Sequence, residues 1–151
     1  MSDLLSQVVA AFLGSASFAL LFQVPKDQFL FGGAAGAASW LCYLVFLRFH
    51  PSVVLASFAA AILLSILCRV FAVRRKTPIT VFLTCGIFPI VPGSGIYYTV
   101  YYFIMSQNDL ALYKGIETLK IAVAIALGIG IVLSLPPFLF APRKGGKEKR
   151  P

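Results

Sequence analysis

The sequence predicts an all-α fold, a bundle of about five membrane-spanning helices with the fourth helix broken near the middle of the membrane. The 151 residues are 60% hydrophobic and only 12% charged, whereas a water-soluble domain carries about 25% charged residues. The apolar residues form long continuous runs, not the alternating pattern of barrel strands. Two prolines and two glycines interrupt one of these runs between Pro89 and Gly95.

Each apolar run has about the length, roughly 20 residues, that a helix needs to cross a hydrocarbon core of about 30 Å. The expected spans cover residues 4–22, 29–47, 52–73, 78–106 and 116–140. Short polar stretches separate them, and the one that begins at Gln107-Asn108-Asp109 is expected to be a loop before the last span. We expect residues 1–142 to form one transmembrane domain and residues 143–151 to form a basic cytoplasmic tail.

The charge distribution predicts the orientation of the chain. The net charge is +8, and Lys and Arg collect on the cytoplasmic side of membranes. Five spans put Lys26, the cluster 74–76 and the tail on one side, with most of the basic residues, and leave Arg48 and Lys114 on the other. We therefore expect the N-terminus outside and the C-terminus in the cytoplasm.

The same basic residues indicate a lipid surface as their partner. Clusters of Lys and Arg beside a span attract anionic lipids, and the candidates are Arg74, Arg75, Lys76 and the C-terminal tail. Binding of nucleic acid is not expected, because it needs a soluble basic face.

The interruption of the fourth run is the most informative feature of the sequence. Pro92 lies at the midpoint of residues 78–106, where prolines remove backbone hydrogen bonds and glycines free the backbone. Irregular backbone at this depth is tolerated only where it faces protein or a watery cavity. A helix that starts after such a break presents free amides and a partial positive charge to an anion. The break therefore predicts a site for a carboxylate.

This predicted carboxylate site has a backbone part and a side-chain part. Ser94 is the expected N-cap of a new helix, whose first amides, of Gly95, Ile96 and Tyr97, would face the ligand. The candidates for backbone shape and anion contact are Pro89, Pro92, Gly93, Ser94 and Gly95, and those for side-chain contacts are Thr84, Tyr97 and Tyr101. A simple proline kink that binds nothing and a re-entrant hairpin remain open as alternatives.

Few other polar side chains lie in the apolar runs. Glu117 and Lys120 are three residues apart and share a helix face, so they form either an interfacial ion pair or a route for coupled protons. Arg69 lies about one turn before the basic cluster and is expected to extend toward the membrane surface. His50 is expected to be a solvated loop residue.

Enzymatic and cofactor chemistry has little support in the sequence. Cys42, Cys68 and Cys85 lie in separate apolar runs without CxxC spacing, which predicts small buried hydrophobes with no metal site or disulfide. The sequence contains one histidine and no HExxH, Gly-x-Ser-x-Gly or paired intramembrane aspartates. We expect no cofactor and no catalytic activity.

Small residues at four-residue spacing predict close helix contacts, because helices in lipid associate through tight packing. The candidate faces are Gly32/Gly36 and Gly33/Ala37 in the second span, Ala10/Gly14 in the first, and Ala122/Ala126/Gly130/Ser134 in the fifth. The alternative is that Ala and Gly are simply common in membrane helices.

The run Phe88–Tyr97, with the sequence FPIVPGSGIY, resembles the PLVPG-type signature of the threonine/serine exporter (ThrE-like) family. The segments Arg74–Pro78 and Gly115–Lys120 are similar to the same family pattern, so the resemblance covers nearly the whole chain. The chain looks specifically like the small YjjB-like subunit, which corresponds to the C-terminal half of the fused exporters.

This resemblance implies a bacterial inner-membrane exporter of small carboxylates, such as threonine and serine or a dicarboxylate such as succinate. It also implies that the proton gradient drives export and that a larger YjjP-like subunit supplies the remaining spans. An N-out, C-in orientation suits the C-terminal half of such an exporter. A membrane scaffold or assembly protein without a substrate is the alternative.

Overall fold

The computed structural model describes residues 2–136, and every regular element within them is helical. The α-helices are α1 (Ser2–Leu21), α2 (Phe29–Phe49), α3 (Val53–Arg75), α4 (Ile79–Gly86), α5 (Gly93–Ile104) and α6 (Asn108–Ser134). Short 3₁₀ turns at Lys26–Gln28 and Phe88–Ile90 precede α2 and follow α4. The prediction of an all-α fold is confirmed.

Four stretches are long and apolar enough to cross a membrane: α1, α2 with the turn before it, α3 and α6. The fourth predicted span is a pair of shorter helices, Ile79–Ile90 and Gly93–Ile104, whose axes differ by 55°. The predicted break is therefore present, and the bundle has up to five spans.

Contacts at the end of α6 show that the broken pair crosses the bundle. The guanidinium of Arg69, near the end of α3, donates hydrogen bonds of 2.6 Å to the carbonyls of Leu133 and Leu135. Since the 27 residues of α6 extend about 40 Å, α6 begins at the opposite end of the bundle. The α4–α5 pair starts just after α3 ends and finishes just before α6 begins. It therefore runs from one end to the other, as a broken span does and a re-entrant hairpin does not.

The same contacts correct the role expected for Arg69. Its side chain does not only extend toward the surface, because it caps the last carbonyls of α6 and joins that helix to α3. Carbonyls at the C-terminal end of a helix have no partner within the helix, and a cation there interacts favourably with the negative end of the helix dipole. His50 follows α2 as an exposed cap residue, as expected.

The loop with Lys26 and the basic cluster 74–76 lie at one end of the bundle, as the charge count requires. Arg75 donates to the side chain of Gln28 (3.2 Å) and to the backbone carbonyl of Asp27 (3.4 Å), and its guanidinium lies 4.8 Å from the centre of the Phe31 ring. These contacts attach the end of α3 to the connection between α1 and α2.

The last span differs from its predicted bounds of 116–140. Helix α6 begins at Asn108, so most of the expected loop is helical. Asn108 and Asp109 are suitable for a first helical turn, because polar and acidic side chains interact with the free amides there. The helix ends at Ser134 because Leu135 precedes Pro136 and adopts the extended conformation that this position favours. The remainder of the predicted span and the tail lie outside the described residues.

The small-residue face of α2 is a contact face, as predicted. A side chain at Gly36 would meet Ser15 of α1 and the backbone of Gly86 in α4, the latter at 3.5 Å. A side chain at Gly33 would come within 2.9 Å of the Phe12 ring. Helices α1 and α4 thus approach α2 closely because its glycines leave room for them.

The other two small-residue faces make no such contact within the described bundle, so there they remain predictions. Gly14 and Gly130 have no atom of another segment within 4 Å of a would-be side chain. Helix α6 packs on α3 through a neighbouring face instead, where a side chain at Gly128 would come within 3.0 Å of Ala61 and of the carbonyl of Phe58. The four exposed members of the α6 face are Ala122, Ala126, Gly130 and Ser134.

A cavity at the broken helix as the candidate functional site

A cavity of about 510 Å³ lies where the fourth span is broken. The turn 88–90 and the start of α5 form one wall, α2 and α3 a second, and α6 a third. The lining residues are Trp40, Tyr43, Val53, Ser57, Pro89, Ile90, Val91, Pro92, Gly93, Ser94, Gly95, Tyr98, Lys114, Glu117, Thr118 and Ile121.

The cavity extends from the break toward the end of the bundle opposite the basic cluster. Val53, the first residue of α3, and Lys114, in the second turn of α6, both belong to its lining. Toward the basic end the interior is filled, with Leu64, Cys68 and Phe82 fully buried between α2, α3 and α4. The floor of the cavity therefore lies near the middle of the bundle.

The break has a local chemical cause. Pro89 and Pro92 have no amide hydrogen, so neither can continue a helical ladder. The amides of Ile90 and Val91 both bond to the carbonyl of Ile87, at 3.0 and 3.2 Å, and this forms the 3₁₀ turn that ends the first half of the span.

The start of α5 differs from the prediction, because its N-cap is Pro92 and no side chain caps the helix. Ser94 is the second residue of the helix rather than its cap. The amide of Ile96 already donates to the carbonyl of Pro92 at 3.1 Å and is not available to a ligand. The amides of Ser94 and Gly95, two residues that line the cavity, have no hydrogen-bond acceptor among residues 2–136.

The structure brings most of the predicted site residues together. All five candidates for backbone shape and anion contact line the cavity: Pro89, Pro92, Gly93, Ser94 and Gly95. Glu117 lines it from α6. Gly95 packs directly on the side chain of Thr118. Gly93, in contrast, has nothing within 4 Å of a would-be side chain, so its position is open space.

The predicted side-chain contacts lie elsewhere. The Thr84 hydroxyl donates to the carbonyl of Thr80 (2.7 Å) on an exposed part of α4. Tyr97 and Tyr101 stack with ring centroids 6.2 Å apart on an exposed face of α5. Neither tyrosine belongs to the cavity lining; Tyr98 lines it instead, since each helical residue is rotated by about 100° from the one before.

The partner of Glu117 also differs from the prediction. Its carboxylate accepts a hydrogen bond of 2.8 Å from the ammonium of Lys114, three residues earlier, and not from Lys120. Lys114 and Glu117 both line the cavity, whereas Lys120 is exposed and outside it. The sequence predicts a loop around Lys114, so the pair becomes recognisable only from the start of α6 at Asn108.

Two aromatic residues and one buried hydroxyl complete the cavity without having been predicted. Trp40 and Tyr43 of α2 stack with ring centroids 5.0 Å apart, and Ser57 of α3 is 1% exposed. Their positions depend on how α2 and α3 pack, which the sequence does not show. Trp40 alone could have been singled out, because it is the one tryptophan of the chain.

The cysteines have the character expected of small hydrophobes. Cys68 and Cys85 are buried and Cys42 is half-buried, and all three are free thiols. Within residues 2–136, no cluster of three or more His, Cys, Asp or Glu side chains could hold a metal ion.

Discontinuous helices near the middle of a membrane bundle, such as the broken span here, recur in membrane transporters. The sequence model of the family described as "Threonine/Serine exporter, ThrE" matches residues 7–135. The chain therefore belongs to the threonine/serine exporter family, which confirms the resemblance found in its sequence.

A named relative has the same description. The "Probable threonine/serine exporter" of Mycobacterium tuberculosis (strain ATCC 25618 / H37Rv) is 35% identical over 94 residues, which are 62% of this chain and 17% of the relative. The chain thus matches a small part of a much longer protein. No solved structure matches the chain.

Proposed function

We propose that this chain forms the solute-binding part of an exporter for small carboxylates, either threonine and serine or a dicarboxylate such as succinate. The observation that carries the proposal is the cavity at the break. Two residues with unpaired amides at the start of α5 and the Lys114–Glu117 pair line a space of about 510 Å³ inside an apolar bundle. This volume lies within the range of about 300–1,000 Å³ that is usual for small-molecule sites.

The magnitudes favour an anion as the ligand. Moving a carboxylate from water into a protein interior costs several kcal/mol. A helix N-terminus returns about 0.3–2 kcal/mol, and each hydrogen bond to a charged group contributes about 1.5–3 kcal/mol. The amides of Ser94 and Gly95 together with one ammonium group are therefore sufficient to offset the cost, whereas the amides alone are marginal.

Transport is proposed to need a second, larger membrane component of the YjjP-like type. The matched stretch is only 17% of the Mycobacterium relative, so most of that protein has no counterpart in the matched residues. The exposed small-residue faces at Ala10/Gly14 and along α6 suit close packing with further helices. Under this proposal the chain acts as one part of a composite transporter in a bacterial inner membrane.

Orientation and lipid contact follow from the same proposal. The end that carries the basic cluster would face the cytoplasm, with the N-terminus outside and the C-terminus inside. Arg74 and Lys76 are exposed and would contact anionic lipids together with the tail. Arg75 is already held by Asp27 and Gln28, so its contribution would be smaller.

Proton coupling is proposed to run through Glu117. It is the one carboxylate among the described residues that line the cavity, and intramembrane acids of this kind relay protons in coupled transporters. Lys120, the other residue suggested by the sequence, is exposed outside the cavity and is assigned no part in the transfer.

Efflux from cells tests the proposed function. Cells with and without the chromosomal gene are loaded with labelled threonine, serine or succinate, and the label that leaves is measured. We expect deletion to slow the efflux of at least one of these carboxylates and restored expression to recover it. Equal efflux of all three solutes from both strains would contradict the proposal and favour a scaffold without a substrate.

A further inference from the structure

We infer that Lys114 is the cation that receives the carboxylate of the solute, and that Glu117 holds its ammonium group only while the cavity is empty. In the empty cavity the ammonium of Lys114 binds the carboxylate of Glu117, and in the loaded cavity it binds the carboxylate of the solute. The inference rests on the proposed function, because it names the residue that would bind the transported anion.

The placement of the pair is the first argument. Lys114 and Glu117 lie one turn apart on the face of α6 that lines the cavity, with 2.8 Å between Nζ and Oε2. Their side chains are 38% and 39% exposed, so water and solute can reach both. Thr118, the next residue on this face, contacts Gly95, which brings the start of α5 against the pair.

The charges of the cavity are the second argument. Among the described lining residues, Lys114 is the one cation and Glu117 the one anion, and the other polar side chains are neutral. While the pair is closed, an entering carboxylate meets no net positive charge and would lose its hydration without compensation. If the solute replaces Glu117 on the ammonium, Lys114 compensates the charge of the solute, and water hydrates the released Glu117 carboxylate, which is 39% exposed.

The geometry of the pair is the third argument, because it suits exchange better than helix stabilisation. A Lys that precedes its acidic partner along a helix is the less stabilising order. A lysine has three donors on a flexible stem and can reorient. The Arg75–Asp27 contact, in contrast, joins two separate elements, as a structural pair does.

Solute exchange in membrane vesicles tests the inference. Vesicles are prepared from cells whose chromosomal gene carries each variant, so that any natural partner is present, and labelled threonine, serine or succinate exchanges without a proton gradient. Lys114→Gln should raise the half-saturation concentration about tenfold or more, because one charged hydrogen bond is lost. Glu117→Gln should lower it, because the competing carboxylate is gone. Lys120→Gln, on the same helix but outside the cavity, is the matched control and should leave it unchanged.

Further variants separate a ligand site from a structural ion pair. Lys114→Arg should retain exchange, whereas the double variant Lys114→Glu, Glu117→Lys should not recover it, because the cation then lies one turn away. A structural pair would be restored by that swap. If Lys114→Gln does not reach the membrane, Glu117→Gln distinguishes the ligand site from the structural pair. Removing the Glu117 carboxylate lowers the half-saturation concentration only if that carboxylate competes with the solute for the ammonium of Lys114.

The contrary outcomes are distinct. Equal half-saturation concentrations for Lys114→Gln and Lys120→Gln, recovery by the swap, or an increase with Glu117→Gln would overturn this inference and leave the proposed function standing. Wild-type vesicles that exchange none of the three solutes more rapidly than vesicles without the chain would overturn both.

Discussion

Replacing Gly95 with alanine is expected to reduce solute efflux about tenfold or more while the chain still reaches the membrane. A side chain at this position would meet Thr118 of α6, so α5 must move away from the cavity wall it helps to form. Displacements of about 1 Å at a site of this kind can cost a hundredfold in rate. The measurement is efflux of the solute that the wild-type cells export, normalised to the amount of chain in the membrane.

A rescue variant and a control make this prediction specific. Thr118→Ala removes Oγ1, the atom nearest to the new methyl group, together with Cγ2, so Gly95→Ala with Thr118→Ala should recover part of the lost efflux. Gly130→Ala places the same methyl group in open space on α6 and should have little effect. Wild-type efflux from the Gly95→Ala variant would show that the close approach of α5 and α6 is not needed.

Replacing Gly36 with valine is expected to have the largest effect on stability. The added atoms would meet Ser15 of α1 and approach the backbone of Gly86 in α4, and neither side can yield without moving a whole helix. Overpacking of this kind costs about 3 kcal/mol. For a chain of this size the apparent Tm in detergent should fall by about 10 °C, which a thermal unfolding curve of the purified protein measures.

Gly14→Val is the matched control for this packing prediction. Gly14 lies on α1 next to Ser15 along the chain, but nothing lies within 4 Å of a side chain built there. Its apparent Tm should stay within a few degrees of the wild-type value. Equal losses for the two variants would mean that the valines act through helix propensity rather than through the contact between α1, α2 and α4.

The features that the sequence predicted correctly depend on local chemistry. A proline has no amide hydrogen wherever it lies, so Pro89 and Pro92 end α4 and delay α5 regardless of how the bundle packs. The apolar runs likewise determine that the chain is a helical membrane protein, because each run must satisfy its own backbone hydrogen bonds in lipid. Fold class and the position of the break could therefore be predicted from composition and spacing.

The features that were missed depend on tertiary structure or on a helix boundary. The faces with Ala122 and with Gly128 both carry small residues, and only the shape of α3 determines which one α6 buries. Lys114 seemed to lie in a loop because polar residues precede the last apolar run, although Asn108 and Asp109 are suitable residues for a helix start. Tyr97 and Tyr98 are neighbours in sequence, and the rotation of α5 about its axis determines that Tyr98 rather than Tyr97 lines the cavity.

Protection of Ser94 by a solute tests the central claim most directly. The Ser94→Cys variant is made in a chain whose three native cysteines are replaced by alanine, and a polar, membrane-impermeant thiol reagent modifies it in vesicles. Threonine, serine or succinate should slow this modification severalfold, with no effect on an Asn108→Cys control, which is exposed and lies outside the cavity. Unchanged rates at Ser94→Cys with every solute that the cells export would contradict a carboxylate site at the broken helix.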